Sequence, residues 1–471
     1  MEKTIIGSSS SSRTVNRGVI EENTLAILDA TDSKYTRDAN DDRIAYLEAV
    51  RAASILPENG TSPTNKMYGA VFQILRNGKS LELMTTSFLL LNELDVRFPR
   101  VFISNTPSSE AGKLEVVDEW SPFTLNSDVA LDGEAAGKNS NSLFDFSCFH
   151  RLIEELNEAA NGTKVHMADT KFLGGMLLFQ YLVNVLEGDF KPRNSVYAET
   201  GDWQLVRKSE LNTFLASRRI NYKSLMKDCL SIMCGLYQVY VSTPYGNDHI
   251  AMDIGLLEAQ RNTCLAMQRL LVVIMELDVS KKKADSEGYT TRADGMRTPL
   301  LEIILDELTY NRHMISPFFQ VFTDSKWKLG IILQYFSKYI AKPVVCTRRS
   351  GNVTLAEDLK FSGFLKCFSN GTSTRNISKK IGADVVQLLI AHAFLAHLGL
   401  SSQQNVEGTS HPQEDGSSLM ETCDHVIAAL DNLRRTNRNM EISPLGKEAV
   451  FTAATIRSII SEKPRKKLHQ S

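Results

Sequence analysis

The feature that most constrains this chain is a succession of amphipathic segments of helical period, following one another almost without a break. In "NDDRIAYLEAVRAASILPENG", Ile44, Leu47 and Val50 share a face, Asn40 or Asp41 offers a cap, and Pro57 stops the run. In "TSPTNKMYGAVFQILRNG", the chemistry predicts Ser62 as cap, Pro63 as first helical residue and Gly78 as terminator. "KSLELMTTSFLLLNELDVRFP" sets Leu81, Met84, Phe88 and Leu91 at helical spacing and ends before Pro99. Segments of the same kind continue through "LLEAQRNTCLAMQRLLVVIMELD" and "GADVVQLLIAHAFLAHLG" to "GKEAVFTAATIRSIISEK". About fourteen helices joined mostly by short loops are predicted. Strand-like alternation is weak, with "KLEVVDEW" and "KPVVCTR" the small candidates.

The fold class is therefore all-α. Many successive helices, apolar on more than one side, point to a degenerate armadillo- or HEAT-like solenoid, since no crisp repeat is visible. An irregular helical domain is the competing arrangement. The predicted organisation is a disordered Ser-rich tail (1–22), one extended helical-repeat domain (23–462) and a basic tail (463–471). Within the domain, 100–142 reads as a long acidic loop and 401–418 as a polar one.

With 42% hydrophobic and 23% charged residues, the 471-residue chain has the composition of a folded soluble protein. Seven cysteines, an odd number with no CxxC pair, fit free thiols in a reducing compartment. The start has no apolar core of secretory length, and runs such as "GGMLLFQYLVNVLEG" are short for a bilayer and interrupted by Gln180 and Asn184. A soluble protein of cytoplasm or nucleus is expected.

Catalytic signatures are missing from the sequence. There is no GxxxxGK[ST], no GxGxxG after a strand and no HExxH. His392 and His397 stand five apart in an apolar helix, well off a common face, so core packing is expected rather than joint metal ligation. Cys229 and Cys234 share that spacing and that reading. Asp306 and Glu307 are adjacent on a helix and point apart. The expectation is a protein without catalytic, cofactor or metal residues and without a small-molecule substrate.

Charge placement is the anomaly. The whole chain carries −2, yet Ser325 to Ala383 holds eleven basic and two acidic residues. Within it Lys326, Lys328, Lys338, Lys342, Arg348, Arg349, Arg375, Lys379 and Lys380 are candidate contacts to DNA or to an acidic partner, the alternative being a solvated helix face. Trp327, Tyr335, Phe336 and Tyr339 are interleaved, at a spacing that turns them inward. A second cluster lies in "ELDVSKKKADSEGYTTRADGMRTP", Glu276 to Pro299, where Lys281, Lys282, Lys283 and Arg292 are candidate partner contacts. Its five acids balance its five bases, so it reads as a shaped, charged connector between two buried helices. The terminal "EKPRKKLHQS" supplies Lys463, Arg465, Lys466 and Lys467, a cluster of the nuclear-import type.

Several long blocks stand in order between about Gly18 and Ala454: "RDANDDRIAYLEAVRAASILPENG", "NYKSLMKDCLSIMC", "VVIMELDVSKKKADSEGYTTRADGMRTPLLEIILDELTY", "KWKLGIILQYFSKYIAKPVVCTRR" and "FSNGTSTRNISKKIGADVVQLLIAHAFLAHL". They resemble the plant negative regulators of systemic acquired resistance, leucine-rich nuclear repressors of defence genes. The resemblance implies an armadillo-like fold, a nuclear location and a place as counterpart of the non-SMC-element-six subunit of the SMC five–six complex. It implies the element-five counterpart and the SMC five–six core as partners, with roles in DNA damage response, homologous recombination and repression of defence-gene transcription. A stand-alone DNA-binding repressor is the alternative. The resemblance carries over no catalytic residue and no cofactor.

Overall fold

The computed structural model describes residues 37–104, 113–117, 120–123, 144–161, 170–217, 220–242, 250–291, 294–295, 297–340, 361–406, 416–437 and 440–467. The chain divides into two compact units, residues 1–297 and 298–471.

In the first unit the helices begin where side chains satisfy free backbone N–H groups. α1 is Arg37–Ser54. α2, Asn65–Asn77, is capped by Thr64, which accepts from the Met67 N–H, so it starts two residues after the Ser62–Pro63 signal. α3 is Leu81–Arg97. A hairpin follows, with β1 (Val101–Ser104) antiparallel to β2 (Lys113–Val116) in the register Val101 opposite Val116 and Ser104 opposite Lys113. The hairpin lies within the expected acidic loop 100–142, much of which is outside the described residues. "VFIS" pairs with the start of "KLEVVDEW", and Phe123 and Phe144 are buried and bridge to one another. The apolar residues inside the acidic stretch give the chain something to bury, and composition alone hid them. α4 is Phe146–Asn161 and α5 is Thr170–Thr200. The short helices α6 (Trp203–Arg207) and α7 (Glu210–Ala216) are capped by Asp202 and Ser209. α8 (Tyr222–Ser242) and α9 (Ile250–Ser286) complete the unit.

α5 is the hub of this unit. It packs against α2, α3, α4, α6, α7, α9 and β1. Its mean amphipathicity is lost because it is covered on all sides: Phe172, Met176, Phe179, Leu182, Leu186 and Phe190 are buried, and so are Leu178, Tyr181, Val183 and Val185 between them.

The second unit opens with α10 (Leu300–Tyr310), whose cap is Pro299 rather than Thr298. A 3₁₀ turn at Arg312–Met314 leads into α11 (Ile315–Val321) and α12 (Ser325–Ser337). Then follow α13 (Phe361–Lys366), α14 (Gly371–Ile381), α15 (Ala383–Val406), α16 (Gly416–Thr436) and α17 (Pro444–Lys467). α15 is central here and contacts α11, α12, α14, α16 and α17. It is also the one helix among the described residues long and apolar enough to cross a membrane, which the reading of short apolar runs missed. Half of that window is buried inside the protein. α15 and α16 take both ends of the expected polar loop 401–418, which reached too far, and α17 runs on through Lys463, Arg465, Lys466 and Lys467, which start the expected tail. The tail 1–22 and "KPVVCTR" lie outside the described residues.

The all-α class expected from the sequence is the observed one, with seventeen α-helices and one small hairpin among the described residues.

Candidate interaction surfaces

Glu276–Ser286, with the lysine triplet, is the last part of α9 rather than a connector, and the chain beyond it is held by charges shared with the helix. Just past the helix end, Gly288 has a φ of 78°, which lets the Tyr289 N–H reach the Ala284 carbonyl at 2.9 Å. Lys281 is held by its own chain. Its ammonium donates to the carbonyls of Asp294 (2.8 Å) and Gly295 (2.6 Å), tying the returning chain to the helix. Burial lowers the Lys281 pKa, and the nearby Arg297 lowers it further. The Asp294 carboxylate is 2% exposed and accepts from the Thr291 N–H (2.6 Å) and the Thr291 hydroxyl (3.0 Å) while pairing with Arg207 (2.9 Å). Burial works to raise its pKa, but those bonds and the Arg207 charge prevail and hold it below the ordinary carboxylate value. Arg297 pairs with Asp278 at 2.7 Å, and Lys283 stands 5.5 Å over the Tyr197 ring. Lys282 is also engaged, and Arg292 lies outside the described residues.

A second charged assembly lies at the C-terminal end of α3. The alternation of the hairpin places Arg100, Phe102 and Val117 on one face and buries Val101 on the other. With Tyr68, Asp95, Arg97, Phe98 and Trp120 they line a cleft of about 370 Å³. Tyr68 stacks on Trp120 at 5.3 Å, and the Arg100 guanidinium lies 5.9 Å from the Trp120 ring centre. Arg100 sits between Asp95 and Glu210, each at 3.6 Å. Burial raises the pKa of both carboxyls, with Arg100 opposing it. Behind them Asp189 holds Arg193 (2.9 Å) and accepts from the Glu210 N–H (2.7 Å). Motif reasoning had no signal for this cluster, because its members come from five separate segments.

The structure divides the basic run of the second unit. Lys328 is half-buried near His392, and loss of solvent brings its pKa down to about 8. His392 is pushed down to about 4 by burial and by that lysine, and its ring lies 6.1 Å from Phe319. His397 lies separately, 5.1 Å from Phe361. Lys326 stands over Trp327 at 5.7 Å. Lys338 pairs with Asp306 at 3.4 Å, while the adjacent Glu307 is buried. Tyr335 and Phe336 are buried. Lys342, Arg348 and Arg349 lie outside the described residues. Arg375, Lys379 and Lys380 are exposed on α14, whose opposite face buries Thr374, Ile377, Ser378 and Ile381. Arg312 joins them from another segment by donating to the Lys380 carbonyl at 3.0 Å. Tyr310, 82% exposed, and His313 accompany it.

Fold and surfaces together define a class: an all-α protein of closely packed helices whose distinguishing features are charge clusters and exposed helix faces. The profile described as SNI1 middle domain matches residues 96–324, and the one described as SNI1 C-terminal domain matches residues 340–461. The Arabidopsis thaliana protein named negative regulator of systemic acquired resistance SNI1 is 50% identical over 460 residues, covering 97% of this chain and 99% of that protein. The chain belongs to the SNI1 family, the negative regulators of systemic acquired resistance. No solved structure matches it.

Proposed function

We propose that this chain is a nuclear, non-enzymatic scaffold that restrains systemic acquired resistance and defence-gene transcription. In this reading it acts as a regulatory subunit of the SMC five–six chromosome maintenance complex, paired with the element-five counterpart, in DNA damage response and homologous recombination. The observation that carries the defence role is 50% identity over 97% of the chain with the Arabidopsis thaliana regulator. The complex is the mechanism we attach to it. A helical partner buries apolar surface along the helices, and the pair regulates the ATPase core without a cofactor or small-molecule substrate. Exposed apolar side chains support such docking: Leu89 and Val96 on α3, and Phe451 and Ile459 on α17.

Expression in plants lacking the Arabidopsis thaliana relative tests the role: restored restraint of defence genes is the expected result. Affinity purification of the tagged chain from their nuclei tests the mechanism. Recovery of the element-five counterpart and SMC proteins is expected. Restored repression without those subunits would remove the complex and keep the regulator.

A further inference from the structure

We infer that the surface formed by α14 and the α10–α11 junction binds single-stranded nucleic acid. Two stretches of sequence without an acidic residue, 308–323 and 359–383, meet there through the bond from Arg312 to the Lys380 carbonyl. The cations of α14 face solvent because its other face is buried.

A solvated helix face explains only part of this. Lys379 and Lys380 lie in the last turn, where cations complement the helix dipole. That leaves Arg375, in the middle of the helix, and Tyr310, which is 82% exposed two residues before Arg312 in the chain. A phosphate backbone uses the cations, and an unstacked base uses the free tyrosine ring. A duplex keeps its bases stacked and leaves Tyr310 idle. An acidic peptide uses the cations alone.

The test measures fluorescence anisotropy of the purified full-length chain with a labelled oligothymidylate, a duplex of equal length and polyglutamate as competitor. It needs no partner subunit, so its outcome is separate from that of the nuclear reading. We expect the single strand to bind more tightly than the duplex. Four cations at about 0.7 each give a log–log salt slope of about −3. The triple variant Arg375→Glu, Lys379→Glu, Lys380→Glu should lose at least about tenfold in affinity, and Tyr310→Ala about fivefold or more, with Tyr310→Phe retaining binding. All four side chains are exposed, and circular dichroism of each variant checks the fold. Lys66→Glu with Lys223→Glu, exposed on the first unit, should change nothing. No binding, equal loss in that control pair, a silent Tyr310→Ala, equal affinity for duplex, or displacement of the oligonucleotide by polyglutamate at matched charge would each overturn the inference.

Discussion

Two lysine runs, Lys281–Lys283 in the first unit and Lys379–Lys380 in the second, look alike in sequence and have opposite surroundings. In the first, Lys281 holds two carbonyls, Lys283 covers a tyrosine ring, and Asp278 and Asp294 take up Arg297 and Arg207. In the second, the helix has no acid and its lysines face solvent. The difference is set by the acids that the fold can bring back to the run. The loop after α9 carries its own, and α14 meets another acid-free stretch.

The largest effect should come from unmaking the first region. Asp294→Ala removes a 2% exposed carboxylate from Arg207 and Thr291. A loss of about 3 kcal/mol is expected, because the groups it satisfied stay in place without it. Urea denaturation checks this: an unchanged midpoint would mean that the loop's charges are not what closes it.

Next comes the lysine that the sequence grouped with the second region but the fold half-buries. Among the described residues no carboxylate is paired with Lys328, and the group beside it is another base, His392. Lys328→Met should therefore stabilise the protein at neutral pH by about 1 to 3 kcal/mol. The sign follows from linkage. With a folded pKa of about 8 against 10.5 unfolded, stability rises as pH climbs between those values, because the unfolded chain still holds the proton. His392 acts likewise lower down, with stability lost as pH falls from 6.5 to about 4. Lys328→Met should abolish the alkaline rise and lessen the acid loss without removing it, since burial is the larger cause of the His392 shift and the lysine the smaller.

This lysine also shows what the sequence reveals and what it does not. Helical period and caps are local, so the all-α class, the stop at Gly78 and the inward turn of Tyr335 and Phe336 were legible. So was the balanced charge of the loop after α9. The hairpin was half legible, since "VFIS" has strand character only once "KLEV" pairs with it. The half-buried cluster of Asp95, Arg100 and Glu210 was invisible, because proximity across a fold leaves no spacing in the chain. For the basic run, counting charges could not separate Lys328 from Lys379. What separates them is which face of α12 packs on α15. Tyr310 and Arg312 could have been found by noting that 308–323 lacks acids.

A smaller effect sharpens the comparison within the first unit. Asp95, like Asp294, is an acid beside an arginine, but it is only half-buried and its pKa is raised, since loss of solvent outweighs Arg100 at 3.6 Å. The folded protein then takes up the Asp95 proton before the unfolded chain does, so this group adds stability as pH falls through its folded pKa towards 3.8. Asp294 does the reverse: its contribution is present above 3.8 and is lost as pH falls through its depressed folded value. The difference in urea midpoint between the native chain and Asp95→Asn should grow in favour of the native chain on acidification from pH 7 to 4. A difference that shrinks would show Arg100 prevailing over burial.

The smallest stability effect belongs to α14, and its smallness is the point. Lys379→Gln with Lys380→Gln removes two charges that form no ion pair among the described residues, so the interaction with the helix end is the main loss. Stability should change by no more than about 1 kcal/mol. A much larger drop would mean that these lysines serve the fold, as Lys281 does, and that the two runs are alike after all. A small drop together with a large loss of oligonucleotide binding would separate them by function: one run closes a loop, and the other is held out for a ligand.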